Sequence, residues 1–204
     1  MNILDFIGVL NNVLGLLLIF VSIIGGLYLF FIDPIRRWSF FGYFPTVVLA
    51  LIDYDTKEIL TIEYEHKLAL DKQMPQGSIY NSDILDAVEN TIQRELGLDL
   101  KYIDLEYIKE LGTLKSDDVK RLRKFQYGML SLVPLVKGKG YILCICTVRK
   151  EKVMRNHDLG VSIEKADFMT LNKFKEYVYS DRLKTVNKAR IYEKAIKVID
   201  QWLK

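Results

Sequence analysis

The sequence predicts an α+β protein in which one N-terminal transmembrane helix precedes a mixed β-sheet domain with flanking helices. Three features carry that prediction. Val13 to Ile32 is a run of twenty residues without a charge. Residues 44–65 hold two runs of β-branched and aromatic residues separated by a polar turn. From residue 83 apolar residues recur at four-residue steps, and strand-like runs follow. A chain of 204 residues accommodates one domain and an appendage, since single domains most often hold about 100–150 residues.

The run VLGLLLIFVSIIGGLYLFFI matches, at helical rise, the ~30 Å hydrocarbon core of a bilayer. A buried core helix would show a polar face. A signal peptide would begin with basic residues and end in a small-residue cleavage site, neither of which is present here. Asp33-Pro34 stops the helix, because proline disfavours the helical conformation of the residue before it. Arg36-Arg37 then place positive charge on the flank that faces the cytoplasm. The expectation is a single-pass protein with its N-terminus outside, residues 1–35 as anchor and residues 36–204 as a cytoplasmic domain. Tyr28 and Trp38 read as aromatic anchors at the interface, and Ser39 to Tyr43 as the linker. Gly8, Asn12, Gly15, Ser22 and Gly26 share one stripe if Ile19 is counted between them. Small residues let helices approach closely in lipid, so the stripe suggests self-association; the plainer account is that glycine is frequent in membrane helices.

Within the domain, Phe44 to Ile52 and Glu58 to Glu65 read as a hairpin around an Asp-containing turn. Pro75-Gln76-Gly77-Ser78 is a breaker cluster. A helix from about Asp83 to Leu96 follows, with Ile84, Leu85, Val88, Ile92 and Leu96 on its apolar face, Ser82 placed to cap it and Gly97 to close it. Tyr102 to Lys115, Gln126 to Val136 and Tyr141 to Val148 read as strands, and Phe168 to Tyr179 and Lys188 to Lys204 as helices. Asp83, Asp86 and Glu89 read as a solvated face favoured by the helix dipole.

The near balance of 29 basic and 26 acidic residues excludes a strong global field drawing the chain onto nucleic acid or anionic lipid. Any such partner must be met locally. Cys144 and Cys146 would share one face of a strand without the geometry of an easy disulfide, which suggests reduced thiols in a core. With only His66 and His157 besides, a closed zinc site would need all four to converge. Lys72, Lys137 and Lys139 are basic candidates for holding an anion, and Gln76, Tyr80 and Tyr141 suit nucleobases as amide and aromatic groups. The plainer reading of Lys137 and Lys139 is an exposed turn. Lys120, Arg121, Arg123 and Lys124, followed by Phe125 and Tyr127, form a denser basic run that fits a solvated face, a lipid surface or a nucleotide.

The run PQGSIYNSDILDAVENTIQRELGLD, residues 75–99, resembles the Nudix box of pyrophosphohydrolases, in which a Gly-rich loop precedes a helix ending REUxEExGU; its PQG also resembles the PQGG of dinucleoside-polyphosphate and RNA-pyrophosphate members. The resemblance covers roughly residues 44 to 204 and implies a Nudix-like fold. Chemistry in that family holds Mg²⁺ against phosphate oxygens with a cluster of helix glutamates. Aligned backwards from Gly97, Asn90-Thr91 stand at the Arg-Glu positions and Arg94-Glu95 at the paired glutamates, so only Glu95 remains. Arg94 repels Mg²⁺ and attracts phosphate, which turns a metal site into an anion-binding one. No catalytic residue, metal ligand or cofactor is therefore expected, and Gly77 and Arg94 join the ligand-binding set.

A membrane helix joined directly to such a domain resembles the membrane-tethered Nudix effectors of bacterial cyclic-oligonucleotide antiphage defence (CBASS). That resemblance implies an inner-membrane protein whose domain recognises a cyclic di- or oligonucleotide made by a partner cyclic-nucleotide synthase, whereupon the helices assemble and disrupt the bilayer. Many such effectors carry more than one membrane helix, and this chain shows one. The alternatives are a tethered pyrophosphohydrolase using Glu95 on nucleoside-diphosphate derivatives, and an adaptor with a vestigial cleft.

Overall fold

A computed structural model describes residues 3–65, 71–80, 83–115, 137–154, 163–180 and 188–204. The chain divides into two compact units, residues 1–37 and 38–204.

In the first unit, α1 (Ile3–Ile32) is a continuous helix. Its segment Val13–Ile32 is long and apolar enough to cross a bilayer, and none of it is buried. Gly8, Asn12, Gly15, Ser22 and Gly26 all lie within α1, and at about 100° per residue they fall inside an arc of about 80°. A methyl added at Gly15 or Gly26 would meet nothing within 4 Å. Asp33 ends α1 as expected, but the chain does not leave helix for long. Proline is pre-set for the first helical position and needs no N–H there, so α2 (Pro34–Phe40) starts at once. The Asp33 carboxylate caps it, accepting the Ile35 N–H at 2.9 Å and pairing with Arg36 at 3.2 Å. The expected linker shrinks to Phe41-Gly42.

The second unit is a mixed seven-stranded sheet with helices against it. β1 (Tyr43–Asp53) and β2 (Ile59–Tyr64) form the expected hairpin, with Ile52 opposite Ile59. β3 (Lys72–Gln73) pairs with β2, and β4 (Gln76–Ser78) pairs with the earlier part of β1. α3 (Ile84–Leu96) and a 3₁₀ turn (Leu100–Tyr102) lead into β5 (Ile103–Lys115). β6 (Gly138–Val148), α4 (Lys150–Met154), β7 (Ile163–Met169), α5 (Leu171–Val178) and α6 (Ala189–Trp202) complete the order. Along the sheet the order is β3-β2-β1-β6-β5, with β7 on β2. β1 and β6 run parallel through eleven paired residues, Tyr43 with Gly138 through Asp53 with Val148.

Parallel strands covered on both faces read as unbroken apolar runs, and VVLALI and YILCICTV are such runs. Val48, Ala50 and Ile52 point into a core built with Leu143, Phe174, Tyr192 and Ile199. Their neighbours Val47, Leu49 and Leu51 point to the opposite face, where α3 brings Ala87, Val88, Ile92 and Leu96. Cys144 and Cys146 are free and buried, and burial pushes the Cys144 thiol up to about 12, as expected of inert core thiols. β5 has β6 as its one partner among the described strands, and two register shifts and Gly112 at φ 102° bend it.

Several expectations need correction. Phe168 is not the start of a helix: it belongs to β7, which pairs with β2 over six residues, and the helix begins only after Thr170, whose side chain accepts the Lys173 N–H. Trp38 is not an exposed anchor; it is buried, with its ring lying where any side chain on Gly140 would be, 2.2 Å from that missing Cβ. α3 is capped by Asp83, which accepts the N–H groups of Leu85 and Asp86, and Gly97 closes it in the left-handed conformation at φ 62°. Asp83, Asp86 and Glu89 are exposed, as expected of a solvated face. Ser82, the strand expected over Gln126 to Val136 and the basic run from Lys120 lie outside the described residues.

Gly77 is where the sheet and α3 meet most closely, since a Cβ there would fall 1.6 Å from Thr91 Oγ1. Thr91 cannot swing away freely, because its hydroxyl donates to the Ala87 carbonyl at 2.6 Å. Gly77→Ala is therefore expected to destabilise the domain by about 1–3 kcal/mol through overpacking, read as a lower urea midpoint with an unchanged slope.

Candidate functional site

The site is built around residues 72–78. Pro75 has no N–H to give, and its carbonyl accepts the Leu49 N–H of β1 at 2.9 Å. From the far end of the sequence, α5 and α6 fasten the same segment. The Lys72 N–H donates to the Tyr177 hydroxyl at 3.1 Å, and Gln76 Nε2 donates to the Tyr192 hydroxyl at 2.5 Å. Lys188 Nζ donates to Oε1 of the buried Gln73. Tyr192 is wholly buried, its hydroxyl also bonded to the backbone of Met74; burial, then the neighbouring Tyr141 and Tyr64, hold it protonated far above the usual tyrosine value.

The last turn of α3 closes one side. The Glu95 side chain is 9 % exposed, and its Oε1 accepts Arg94 Nε at 3.0 Å and Nη2 at 2.8 Å. Its Oε2 accepts the Tyr64 hydroxyl at 3.2 Å, and burial followed by the charge of Glu95 keeps that phenol protonated. Arg94 Nη2 also donates to the Gln76 carbonyl at 3.1 Å. Glu95 thus has its charge matched and both oxygens occupied by groups of the chain itself.

A second cationic feature faces the segment from α6. Lys188 sits at the helix N-terminus, where the dipole disfavours a cation, and no side chain caps that end. Its ammonium lies 5.9 Å from the centre of the Tyr192 ring. Burial, and then repulsion from Lys139 on β6, bring its pKa down to about 7. Lys188 and Lys139 are thus near enough for their charges to act on each other, beside a wall of amides and phenols.

The structure brings Gln76, Arg94 and Lys139 into the neighbourhood of Tyr192 and Lys188, and treats the other expected ligand residues differently. Tyr141 is 5 % exposed and packs in the core, where burial raises its phenol to about 12. Gly77 provides a close approach to Thr91. Lys72 directs its ammonium to Glu63 at 3.7 Å. Tyr80 is exposed, edge-on to Phe44 with ring centres 5.8 Å apart. Lys137 is exposed ahead of β6, its N–H donating to the Gly42 carbonyl at 2.7 Å. Sequence reasoning missed Gln73, Lys188 and Tyr192. The one available signal was Lys188, a cation at the wrong end of a helix dipole.

No protein-family model matches this sequence, and no curated protein matches it. Solved structures do match its fold. An Ap4A hydrolase of C. elegans, as a binary complex, aligns at 8% identity over 78% of this chain and 98% of its own, with a TM-score of 0.52. A bifunctional NMN adenylyltransferase/ADP ribose pyrophosphatase of Francisella tularensis aligns at 11% identity over 78% of this chain and 41% of its own, with a TM-score of 0.50. A NUDIX hydrolase from Nitrosomonas europaea aligns more loosely, at 13% identity over 76% of this chain and 90% of its own, with a TM-score of 0.45. The chain has a mixed α+β, Nudix-like fold with an N-terminal apolar helix long enough to span a membrane.

Arg94→Met leaves the Glu95 carboxylate nearly buried without its cation, and is expected to cost about 1–3 kcal/mol of stability. Arg94→Met with Glu95→Gln should recover most of that loss, measured by urea unfolding of the two variants and of Glu95→Gln alone. For Lys188 the folded value, about 7, lies below its ordinary 10.5. Between those values the unfolded chain binds more protons, so this residue makes stability rise with pH across that window. Lys188→Met should flatten the increase between pH 7 and pH 10.

Proposed function

We propose that the chain is a membrane-bound sensor and effector whose Nudix-like cleft binds a cyclic di- or oligonucleotide, and whose apolar helix carries the output. The observation that carries this reading is the grip of Arg94 on Glu95, whose Oε1 accepts both Nε and Nη2. It occupies the one family-type carboxylate and leaves the cleft presenting cations and amides, which suit phosphates and bases better than a Mg²⁺ ion. The fold supports the ligand class, since the structures it resembles include hydrolases of Ap4A and ADP ribose, both nucleotide derivatives joined through phosphates.

In this reading the chain sits in a bacterial inner membrane with its N-terminus outside. The positive flank Arg36-Arg37 supports that orientation. A synthase in the same cell makes the cyclic nucleotide as part of an antiphage response. Ligand-driven clustering of the domains raises the local concentration of α1 helices, and the open stripe at Gly15 and Gly26 permits their close packing until the bilayer fails.

Titration of the full chain in nanodiscs against cyclic di- and trinucleotides should give binding to at least one member, weakened about tenfold or more by Lys188→Met, the equivalent of one charged hydrogen bond. Binding above pH 7 should take up protons, because an anion beside Lys188 raises its pKa. Gly15→Leu with Gly26→Leu should abolish ligand-dependent crosslinking. Failure of every cyclic nucleotide to bind would overturn the reading. So would Mg²⁺-dependent phosphate release from nucleoside-diphosphate derivatives that Glu95→Gln abolishes.

A further inference from the structure

The far end of the central strand pair, where Asp53 and Val148 finish β1 and β6, carries a groove unrelated to the cleft. One cavity of about 370 Å³ is lined by Tyr54, Tyr102, Lys101, Asp104, Arg149 and Lys152, among others. It adjoins a second of about 650 Å³ that shares Tyr54 and Arg149. These sizes fall in the range of small-molecule sites, roughly 300–1,000 Å³.

The walls are firmly built. The buried Asp53 carboxylate accepts the Lys150 N–H at 2.7 Å, the Thr56 N–H at 2.8 Å and the Thr56 hydroxyl at 2.7 Å, tying the turn after β1 to the segment after β6. Burial would raise this carboxyl, but those donors and the nearby Lys150 hold it below the usual range, so it remains charged. The Tyr54 N–H donates to the Val148 carbonyl at 2.9 Å, and Lys150 pairs with Glu58 at 2.6 Å.

The aromatic groups on those walls are exposed to solvent. Tyr54 is 61 % exposed and Tyr102 40 %. Lys57 lies 4.9 Å from the Tyr54 ring centre, and Lys101 and Lys152 lie 4.9 and 5.5 Å from that of Tyr102. Lys101 pairs with Asp99 at 2.7 Å, whereas Arg149 and Lys152 face no carboxylate at ion-pair distance among the described residues. Exposed aromatic rings beside cations that have no carboxylate partner among the described residues, as Tyr102 has in Lys152, are the elements that bind a flat ring joined to a phosphate. Asp104 adds an acceptor for hydroxyl or amino groups on the same wall and disfavours a long polyphosphate there.

We propose that this groove is a second ligand site, which binds a nucleoside monophosphate group with its ring against Tyr102 and its phosphate on Arg149 and Lys152. It is independent of the Lys139 and Lys188 cleft. Because the floor is tied through Asp53, the site exists before the ligand arrives.

The test titrates AMP, and separately inorganic phosphate, into the full chain in detergent micelles by isothermal calorimetry. Wild type should bind AMP. Arg149→Ala and Tyr102→Leu should each weaken it about fivefold or more, as expected for one charged contact and one stacked base. Both residues are exposed, and unchanged melting temperatures of the variants confirm that they fold. Lys152→Ala provides a third variant acting on the phosphate alone. No binding of AMP overturns the proposal, as does binding that neither Arg149→Ala nor Tyr102→Leu weakens. Phosphate that binds as tightly as AMP, with no effect of Tyr102→Leu on either, also overturns it, since the site would then be an anion site without a ring.

Discussion

The eleven-residue parallel pairing of β1 with β6 is the constraint from which the rest of the domain follows. Parallel neighbours cannot be joined by a tight turn, so everything between Asp53 and Gly138 has to pass outside the pair. The chain uses that excursion to build β2, β3, β4, α3 and β5. Both faces of the pair must then be covered, by α3 on one side and by α5 and α6 on the other. Register in the pair also decides what lies at its ends: Tyr43 and Gly138 at one, Asp53 and Val148 at the other.

The end of α3 shows how a nearly buried carboxylate is satisfied within the chain. A carboxylate at the end of α3 keeps its place, but the side chain beside it is a guanidinium, and the pair satisfies itself. A nearly buried charge of this kind is tolerated only with its partner and hydrogen bonds in place. Arg94 therefore also ties α3 to β4, through the Gln76 carbonyl. Lys188, just ahead of α6, holds Gln73 on the neighbouring part of the chain and feels the charge of Lys139 on β6.

Much of this was legible in the sequence because it rests on long periodic patterns. The twenty uncharged residues of α1, the four-residue rhythm of α3 and the apolar runs of β1 and β6 each repeat over enough positions to be unambiguous. Short elements were not. β3 and β4 hold two and three residues, too few for any period, and exist because β1 and β2 offer edges to pair with. β7 was missed because IEKADFM mixes charged and apolar residues, and its strand state comes from pairing with β2 across the fold. Gln76 and Arg94 stood out within a motif. Gln73 and Tyr192 did not, since only tertiary packing makes an ordinary glutamine and tyrosine part of one hydrogen-bonded wall with Lys188.

The fastening of residues 72–78 by α5 and α6 has a bearing on how the protein is made. Lys72 meets Tyr177, Gln73 meets Lys188, and Gln76 meets Tyr192 across 105, 115 and 116 residues of sequence. Contacts of that separation form late, after loop closure has been accomplished. During synthesis the apolar helix leaves the ribosome long before α6 exists, while the cleft stays unfastened until the last described helix has emerged. A nascent chain would therefore hold a finished apolar helix while residues 72–78 still lack their partners.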